Sequence, residues 1–286
     1  MDPEAFLDLA NQVTKLKMYP YFEAAHCAIV CMYIKEDLAA GSHLFSRKHP
    51  LACWLSCMLS IFAGTILCNF LLGEPVLSVF KSSNQLLLAT GVWYLIFYSP
   101  FDLTYKLCKF LPVKLVLAAL KEVYRCKKVH DGVLHAAKLY PNGYLIMIIA
   151  GTVKGNGGAF LKLLERLIRG LWTPSAIEFM QPSFPTKACI AAATLFILDK
   201  KTDLISAPHA LVYFGIAVFF IYFKLSAVLL GIYDPFVPFE NLFCAIFMGG
   251  VWDALGRAVS AGKGDHTPAK VDVAKNGKTE SGKKKD

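Results

Sequence analysis

The stretch Leu145–Phe160, L-I-M-I-I-A-G-T-V-K-G-N-G-G-A-F, decides how the chain is read. Six apolar residues run into Gly151, Thr152 and Lys154, and Gly155, Asn156, Gly157 and Gly158 follow before Phe160. In a soluble protein this would be a strand feeding a glycine loop. Here Leu161–Leu171 resumes a helical pattern, so the expectation is a transmembrane helix broken at its middle. Loosened backbone at membrane depth is tolerated only where it is buried in protein or lines a watery cavity. A lysine in the break favours the cavity, because an intramembrane cation needs water or a partner. These residues are therefore read as the hinge and lining of a path through a membrane.

Composition agrees. The 286 residues are 56% hydrophobic and 18% charged, with a mean hydropathy of +0.47. Soluble chains average about 45–50% apolar and about 25% charged. The net charge is +9, but eight of the 30 basic residues lie beyond residue 256. That placement speaks for orientation and acidic lipid, and no nucleic-acid partner is expected. Nine cysteines sit mostly in apolar runs without a C-x-x-C pair, so neither a metal site nor a disulfide framework is expected. The N-terminus has no basic n-region or cleavage site, so no removable signal peptide is expected.

The chain divides into seven expected spans. A lead over 1–17 precedes an apolar run at Met18–Ile34 that contains Pro20, Glu23 and His26. Pro50–Leu72 and Asn84–Tyr98 are uncharged; Pro112 opens a helix with a basic centre, and the glycine-rich helix follows from Asn142. Ala188–Leu198 and Leu211–Leu230, the latter holding Lys224, complete the set. The fold class is an all-α polytopic membrane protein with a channel domain over 18–232. Within it, one repeat covers about 18–106, a second about 110–201, and a seventh helix about 207–231. Leu242–Trp252 is too short to cross, so 233–260 is read as interfacial or re-entrant. The segment 261–286 lacks periodicity and is read as a disordered basic tail. Counting Lys and Arg places that tail in the cytosol and the N-terminus on the opposite, lumenal side. Lys283 and Lys284 match a dilysine retrieval address for the endoplasmic reticulum.

A short repeat supports the two halves. Ala63-Gly64-Thr65-Ile66-Leu67-Cys68-Asn69 recurs as Ala150-Gly151-Thr152-Val153-Lys154-Gly155-Asn156, in the second and fifth spans. Three spans per unit is odd, so the units run in opposite directions, as in inverted repeats whose broken helices mark a midplane site. Ordinary helix packing by small residues is the alternative.

Between Pro112 and Tyr140, Lys114, Lys121, Arg125 and Lys128 fall on one helical face. Lys121 lies nine residues past Pro112, roughly 14 Å along the axis and about halfway through a ~30 Å core. Each cation facing lipid there costs ~2.5–3.5 kcal/mol, so the set lines an aqueous vestibule or meets anions. Glu122 and Asp131 neutralise two at most, and the surplus suits a lipid phosphate or voltage sensing. A solvated loop is the competing reading. Lys162, Arg166 and Arg169 form a second stripe, read as headgroup anchoring.

Several stretches are similar to the trimeric intracellular cation channel family, in its animal type B form. They are His49–Ser56 (H-P-L-A-C-W-L-S), Trp93–Phe97 (W-Y-L-I-F), Phe110–Leu115 (F-L-P-V-K-L), Lys121–Val123 (K-E-V), Gly151–Gly155 (G-T-V-K-G) and Ser183–Ala188 (S-F-P-T-K-A). The likeness runs from about Tyr19 to Phe239. It implies a potassium-permeable channel of the endoplasmic or sarcoplasmic reticulum, a homotrimer with one pore per subunit, carrying counter-ions during calcium release. It also implies phosphatidylinositol 4,5-bisphosphate at the basic helix, on Lys121 and Arg125 with Glu122 and Lys128 beside them, and lumenal calcium as a modulator. Gly64, Thr65, Asn69, Gly151, Thr152, Lys154, Gly155, Asn156, Gly157 and Gly158 are the candidate pore and hinge residues. Lys154 in a cation path needs screening, for which Asp131 and water are the candidates.

Two other classes compete. An inverted-repeat secondary transporter needs a titratable carboxylate at depth, for which Glu23 with His26 is the candidate. A membrane scaffold that binds phosphoinositide without conducting is the other. No G-x-S-x-G, H-E-x-x-H or Walker pattern occurs, so an enzyme is not expected.

Overall fold

The computed structural model describes residues 3–38, 41–172, 178, 181–202, 204–231 and 234–248, and its regular structure is helical. The helices are α1 (Pro3–Thr14), α2 (Tyr21–Asp37), α3 (Ser42–Lys48), α4 (Pro50–Leu71), α5 (Ser83–Tyr98), α6 (Leu103–Lys109) and α7 (Leu111–Leu139). They continue as α8 (Tyr144–Phe160), α9 (Lys162–Ile168), α10 (Phe184–Lys201), α11 (His209–Leu230) and α12 (Val237–Phe247). Residues up to 235 form one compact unit and α12 belongs to a second. The short interfacial piece expected from Leu242 is the last part of α12, whose side chains are mostly exposed. Trp252 and the tail 261–286 lie outside the described residues.

Within the first unit, α2, α4 and α5 pack on one another, as do α7, α8 and α10. The triples meet through two contacts, α4 against α8 and α2 against α7. Each contact pairs helices that hold equivalent places in the two triples, the arrangement a pseudo-two-fold repeat produces. α11 lies on α7 and α10, and α1 lies on α11, where the Phe6 ring meets Phe214 edge-on at 5.4 Å. The lead 1–17 is thus largely a docked helix.

Helices stand at each of the seven expected spans. Three are long and apolar enough to cross a bilayer alone among the described residues: α4, the run Tyr144–Ile168, and α11. A fourth is available if α5 and the following Pro100–Lys109 segment, bent by 93°, are one span. The remaining helices of the two triples, α2, α7 and α10, carry charged residues such as Lys35, Lys121 and Lys187. Large apolar side chains such as Leu51, Phe70, Leu87, Leu145 and Leu230 are exposed, as expected of a surface solvated by lipid or by other chains.

The α5–α6 corner is held from outside. Phe101 and Asp102 have φ of 55° and 56°, a left-handed conformation that costs non-glycine residues energy and persists when surroundings enforce it. Lys35, buried on α2, donates to the Ile96 carbonyl at 2.7 Å and to Asp102 Oδ1 at 3.0 Å. His43 Nε2 meets the other Asp102 oxygen at 2.7 Å. Lys35 thereby satisfies a carbonyl near the end of α5 and fixes the turn beyond it.

The glycine-rich helix differs from expectation. α8 runs helically through Gly151, Thr152, Lys154 and Gly155, and only Asn156 (φ −135°, ψ 27°) departs. α4 has no departure at Gly64. α4 is therefore not opened, and the run Tyr144–Ile168 is interrupted near its middle at Asn156 alone, while the small residues serve close approach. A Cβ on Gly157 would lie 2.4 Å from the Cα of Gly64, and one on Gly64 would lie 2.4 Å from the Lys154 carbonyl oxygen. The repeated motif does not play one role twice. Gly64 faces α8, whereas a Cβ on Gly151 would meet Val133 of α7 and Ala193 of α10.

Gly157→Ala should lower stability by about 1–3 kcal/mol through overpacking. Gly158→Ala, whose Cβ would sit 3.6 Å from the Ser60 carbonyl oxygen, should be tolerated. Thermal unfolding of the two variants in detergent checks this, and equal melting temperatures would refute the crossing.

Candidate functional site

Where α8 bends at Asn156, it leaves a cavity of about 590 Å³ between α2, α4, α7 and α8. α8 contributes Lys154 through Ala159, and α4 contributes Ser60, Ile61 and Gly64. The α7 wall is the face predicted from helical spacing: Lys121, Arg125 and Lys128, with Tyr124 among them. Lys114, about two turns before Lys121, faces a separate small cleft with Glu36 and Lys224. α2 supplies His26, Tyr33 and Asp37, and α11 supplies Lys224. Among the lining residues, seven are Lys or Arg and four are Asp or Glu, so the walls carry three positive charges in surplus.

Aromatic faces and one buried acid hold the cations. Lys121 Nζ stands 5.0 Å over the Tyr33 ring and Lys128 Nζ 5.0 Å over Tyr124, contacts that stabilise an ammonium without neutralising it. Lys224 Nζ approaches the Tyr33 hydroxyl at 3.5 Å. Arg125 donates to Glu122 at 2.6 Å. Glu122 is 1% exposed and does not line the cavity; it stands behind Arg125 and aims it. Asp131 is taken by Lys127 at 2.9 Å, not by Lys154. Among the described residues no carboxylate bridges Lys154, which faces the cavity.

The second basic stripe is also placed differently from expectation. Arg169 is buried and donates to Asp37 at 2.6 Å and to Glu165 at 2.8 Å, and Arg166 donates to Asp37 at 2.7 Å. These pairs tie α9 to the end of α2 beside the cavity, so Arg166 and Arg169 brace the fold instead of facing headgroups. Burial acts to raise the Asp37 carboxyl, but hydrogen bonds from Arg166 and Arg169 outweigh it and hold it below its ordinary 3.8.

Several expected residues lie elsewhere. Thr65, Asn69, Gly151 and Thr152 do not line the cavity. Asn69 donates to Ser78 at 2.9 Å and anchors the turn after α4. Glu23 is not among the lining residues; it accepts from Gln85 at 2.8 Å and links α2 to α5. His26 does reach the wall, where its Nε2 donates to the Ile61 carbonyl at 3.1 Å and its ring lies 5.1 Å from Tyr124. Tyr33, Asp37 and Glu178 line the site without having been singled out. Tyr33 had a faint signal, an aromatic one helical face from Glu36 and His26. Glu178 had none, because a lone acid in a loop is indistinguishable from solvated charge.

Helices with lipid-like exteriors around a polar, basic cavity define a polytopic membrane protein that handles charged species. The TRIC channel family model matches residues 39–231. The chain is 54% identical over 263 residues to the trimeric intracellular cation channel type 1B.1 of Caenorhabditis elegans, covering 92% of this chain and 89% of that one. It also superposes on the structure of a trimeric intracellular cation channel from C. elegans with bound Ca2+, with a TM-score of 0.75 and 52% identity over 80% of this chain and 99% of that one. A solved structure of TRIC counter-ion channels in calcium release gives a TM-score of 0.74 at 33% identity, covering 78% and 99%. The chain belongs to the TRIC channel family, whose members are cation channels and not enzymes.

Asp37→Asn should cost about 1–3 kcal/mol, the worth of hydrogen bonds to charged groups. Because the Asp37 carboxyl is depressed when folded, its contribution is complete above 3.8 and lost as pH falls through the folded value. Melting temperature against pH should therefore fall less steeply on the acid side for Asp37→Asn than for the parent. Lys154→Ala should alter conductance or gating and leave the melting temperature within a degree or so of the parent. Unchanged single-channel records would remove Lys154 from the path.

Proposed function

We propose that this protein is a potassium-permeable channel of the endoplasmic or sarcoplasmic reticulum membrane, providing counter-ion flow during calcium release. In this reading it is a homotrimer with one pore per subunit. Each subunit has seven spans, six of them in two inverted repeats, with the N-terminus lumenal and the basic C-terminus cytosolic. The observation that carries the reading is the polar cavity at the α8 bend, enclosed by the helices on which sequence pattern placed the path. Family membership and the printed names of its relatives support cation conduction; the Lys/Arg distribution and the dilysine end support the compartment.

Phosphatidylinositol 4,5-bisphosphate is the proposed lipid of this cavity, its phosphates meeting Lys121, Arg125 and Lys128. Three surplus positive charges and a volume near 590 Å³ suit a polyanionic headgroup drawn in from the cytosolic leaflet. The same array in the membrane field makes gating voltage-dependent. Lumenal calcium is a proposed modulator, supported by the Ca2+-bound C. elegans relative. A proton-coupled transporter is less well supported, since Glu23 is occupied by Gln85. A non-conducting phosphoinositide scaffold shares the basic cavity and differs only in carrying no current.

Purified protein in a planar bilayer should give a reversal potential that follows the potassium gradient and ignores a pH gradient. A current tracking pH would favour the transporter, and silence across voltages the scaffold. Lys121→Gln with Arg125→Gln should weaken binding to vesicles containing the bisphosphate by roughly tenfold or more, at about 1 kcal/mol per basic residue, while vesicles of neutral lipid show no difference.

A further inference from the structure

A directed chain of hydrogen bonds ends on the residue that bends α8. Asn156 Nδ2 donates to Thr186 Oγ1 at 2.8 Å, and Thr186 Oγ1 donates to Glu178 Oε1 at 2.5 Å. The same Glu178 oxygen receives the Ser183 amide at 2.8 Å and the Ser183 hydroxyl at 2.5 Å. With three donors converging on it, that oxygen acts as acceptor only. The single Thr186 hydroxyl proton is therefore committed to Glu178, and the Thr186 oxygen is left able only to accept. Asn156 must then turn its NH2 toward Thr186. An amide is usually ambiguous about which end is oxygen; here the proton inventory decides it.

The consequence lies at the other end of the amide. The Asn156 side chain makes no other hydrogen bond among the described residues, and it lines the cavity. We propose that Thr186 and Glu178 are positioning residues that hold the Asn156 carbonyl oxygen free in the cavity, where it serves as a neutral ligand to the passing cation. A path whose walls carry surplus positive charge needs oxygen dipoles to replace a cation's hydration. A side-chain carbonyl supplies one without a carboxylate that the neighbouring lysines would pair with. Polarisation by Glu178 along the chain stiffens the arrangement. Asn156 leaves helical geometry at this point, and its bond to α10 ties the bend to a second helix.

This inference rests on the cation-channel reading, and one experiment separates the two. The full-length channel is recorded in planar bilayers with potassium on one side and sodium on the other. Asn156→Ala and Thr186→Val, which removes the hydroxyl at constant shape, should each change the K+/Na+ permeability ratio and unitary conductance by roughly two- to tenfold, the scale of one neutral hydrogen-bonding contact. Thr186→Ser should restore the parent values. Because Thr186 acts through Asn156, the double variant should match Asn156→Ala. Parent-like permeability ratio and conductance in both single variants would overturn the proposal, as would a change confined to open probability, which would mark the bonds as support for the bend alone. Should Asn156→Ala fail to assemble, Thr186→Val against Thr186→Ser decides by the same readouts. A parent channel that carries no cation current would instead overturn the channel reading itself.

Discussion

The approach of α4 to α8 at Gly64 and Gly157 is the contact on which the architecture depends. Backbones meet there with no room for a methyl group, and dispersion between closely packed helices takes the place of the hydrophobic effect that lipid cannot supply. The crossing joins the two helix triples and fixes the depth at which α8 presents Lys154 and Asn156. The cavity exists because α8 bends just where it is pressed most tightly. Immediately before the crossing, Asn156 leaves helical geometry, and Gly157 lets the chain resume on a shifted axis without a side-chain clash.

Around that crossing, the cations are held in two ways. Lys121 and Lys128 rest on aromatic faces and Arg125 on a single buried acid, so their charge stays available to the cavity. Cations that brace the fold are fully paired: Lys35 with Asp102, and Arg169 with Asp37 and Glu165. The difference is physical. A paired charge inside protein offsets its desolvation locally, whereas a cation beside an open cavity retains water and needs no carboxylate. This explains how a lysine-lined space belongs to a family of cation channels. Its walls hold a surplus suited to an anionic headgroup, and polar backbone and amide groups along α8 remain to meet a cation.

Much of the site could be read from spacing. The face made by Lys121, Arg125 and Lys128 is a property of one helix, and helical period alone brings those residues together. The glycine-rich segment likewise announces a special helix. What spacing could not tell was how the glycines are used. Gly151 and Gly64 pack against neighbours without unwinding, since a glycine that permits a break and one that permits contact look alike in sequence. Partners were equally hidden. Asp131 is four residues from Lys127 and was taken by it, and Asp37 finds Arg166 and Arg169 across 129 and 132 residues.

The sequence by itself determined that the chain is helical and membrane-borne, which helix faces are basic, and which family it belongs to, because each follows from local period, composition or motif. Only the tertiary structure decided that the break is one bend at Asn156, that Arg166 and Arg169 of the second basic stripe are structural, that Glu178 reaches the cavity wall, and that Thr186 stands behind Asn156. Those facts depend on contacts between helices far apart in the chain, and the energy of such contacts is set by shape and proton placement at close approach, which no single segment encodes.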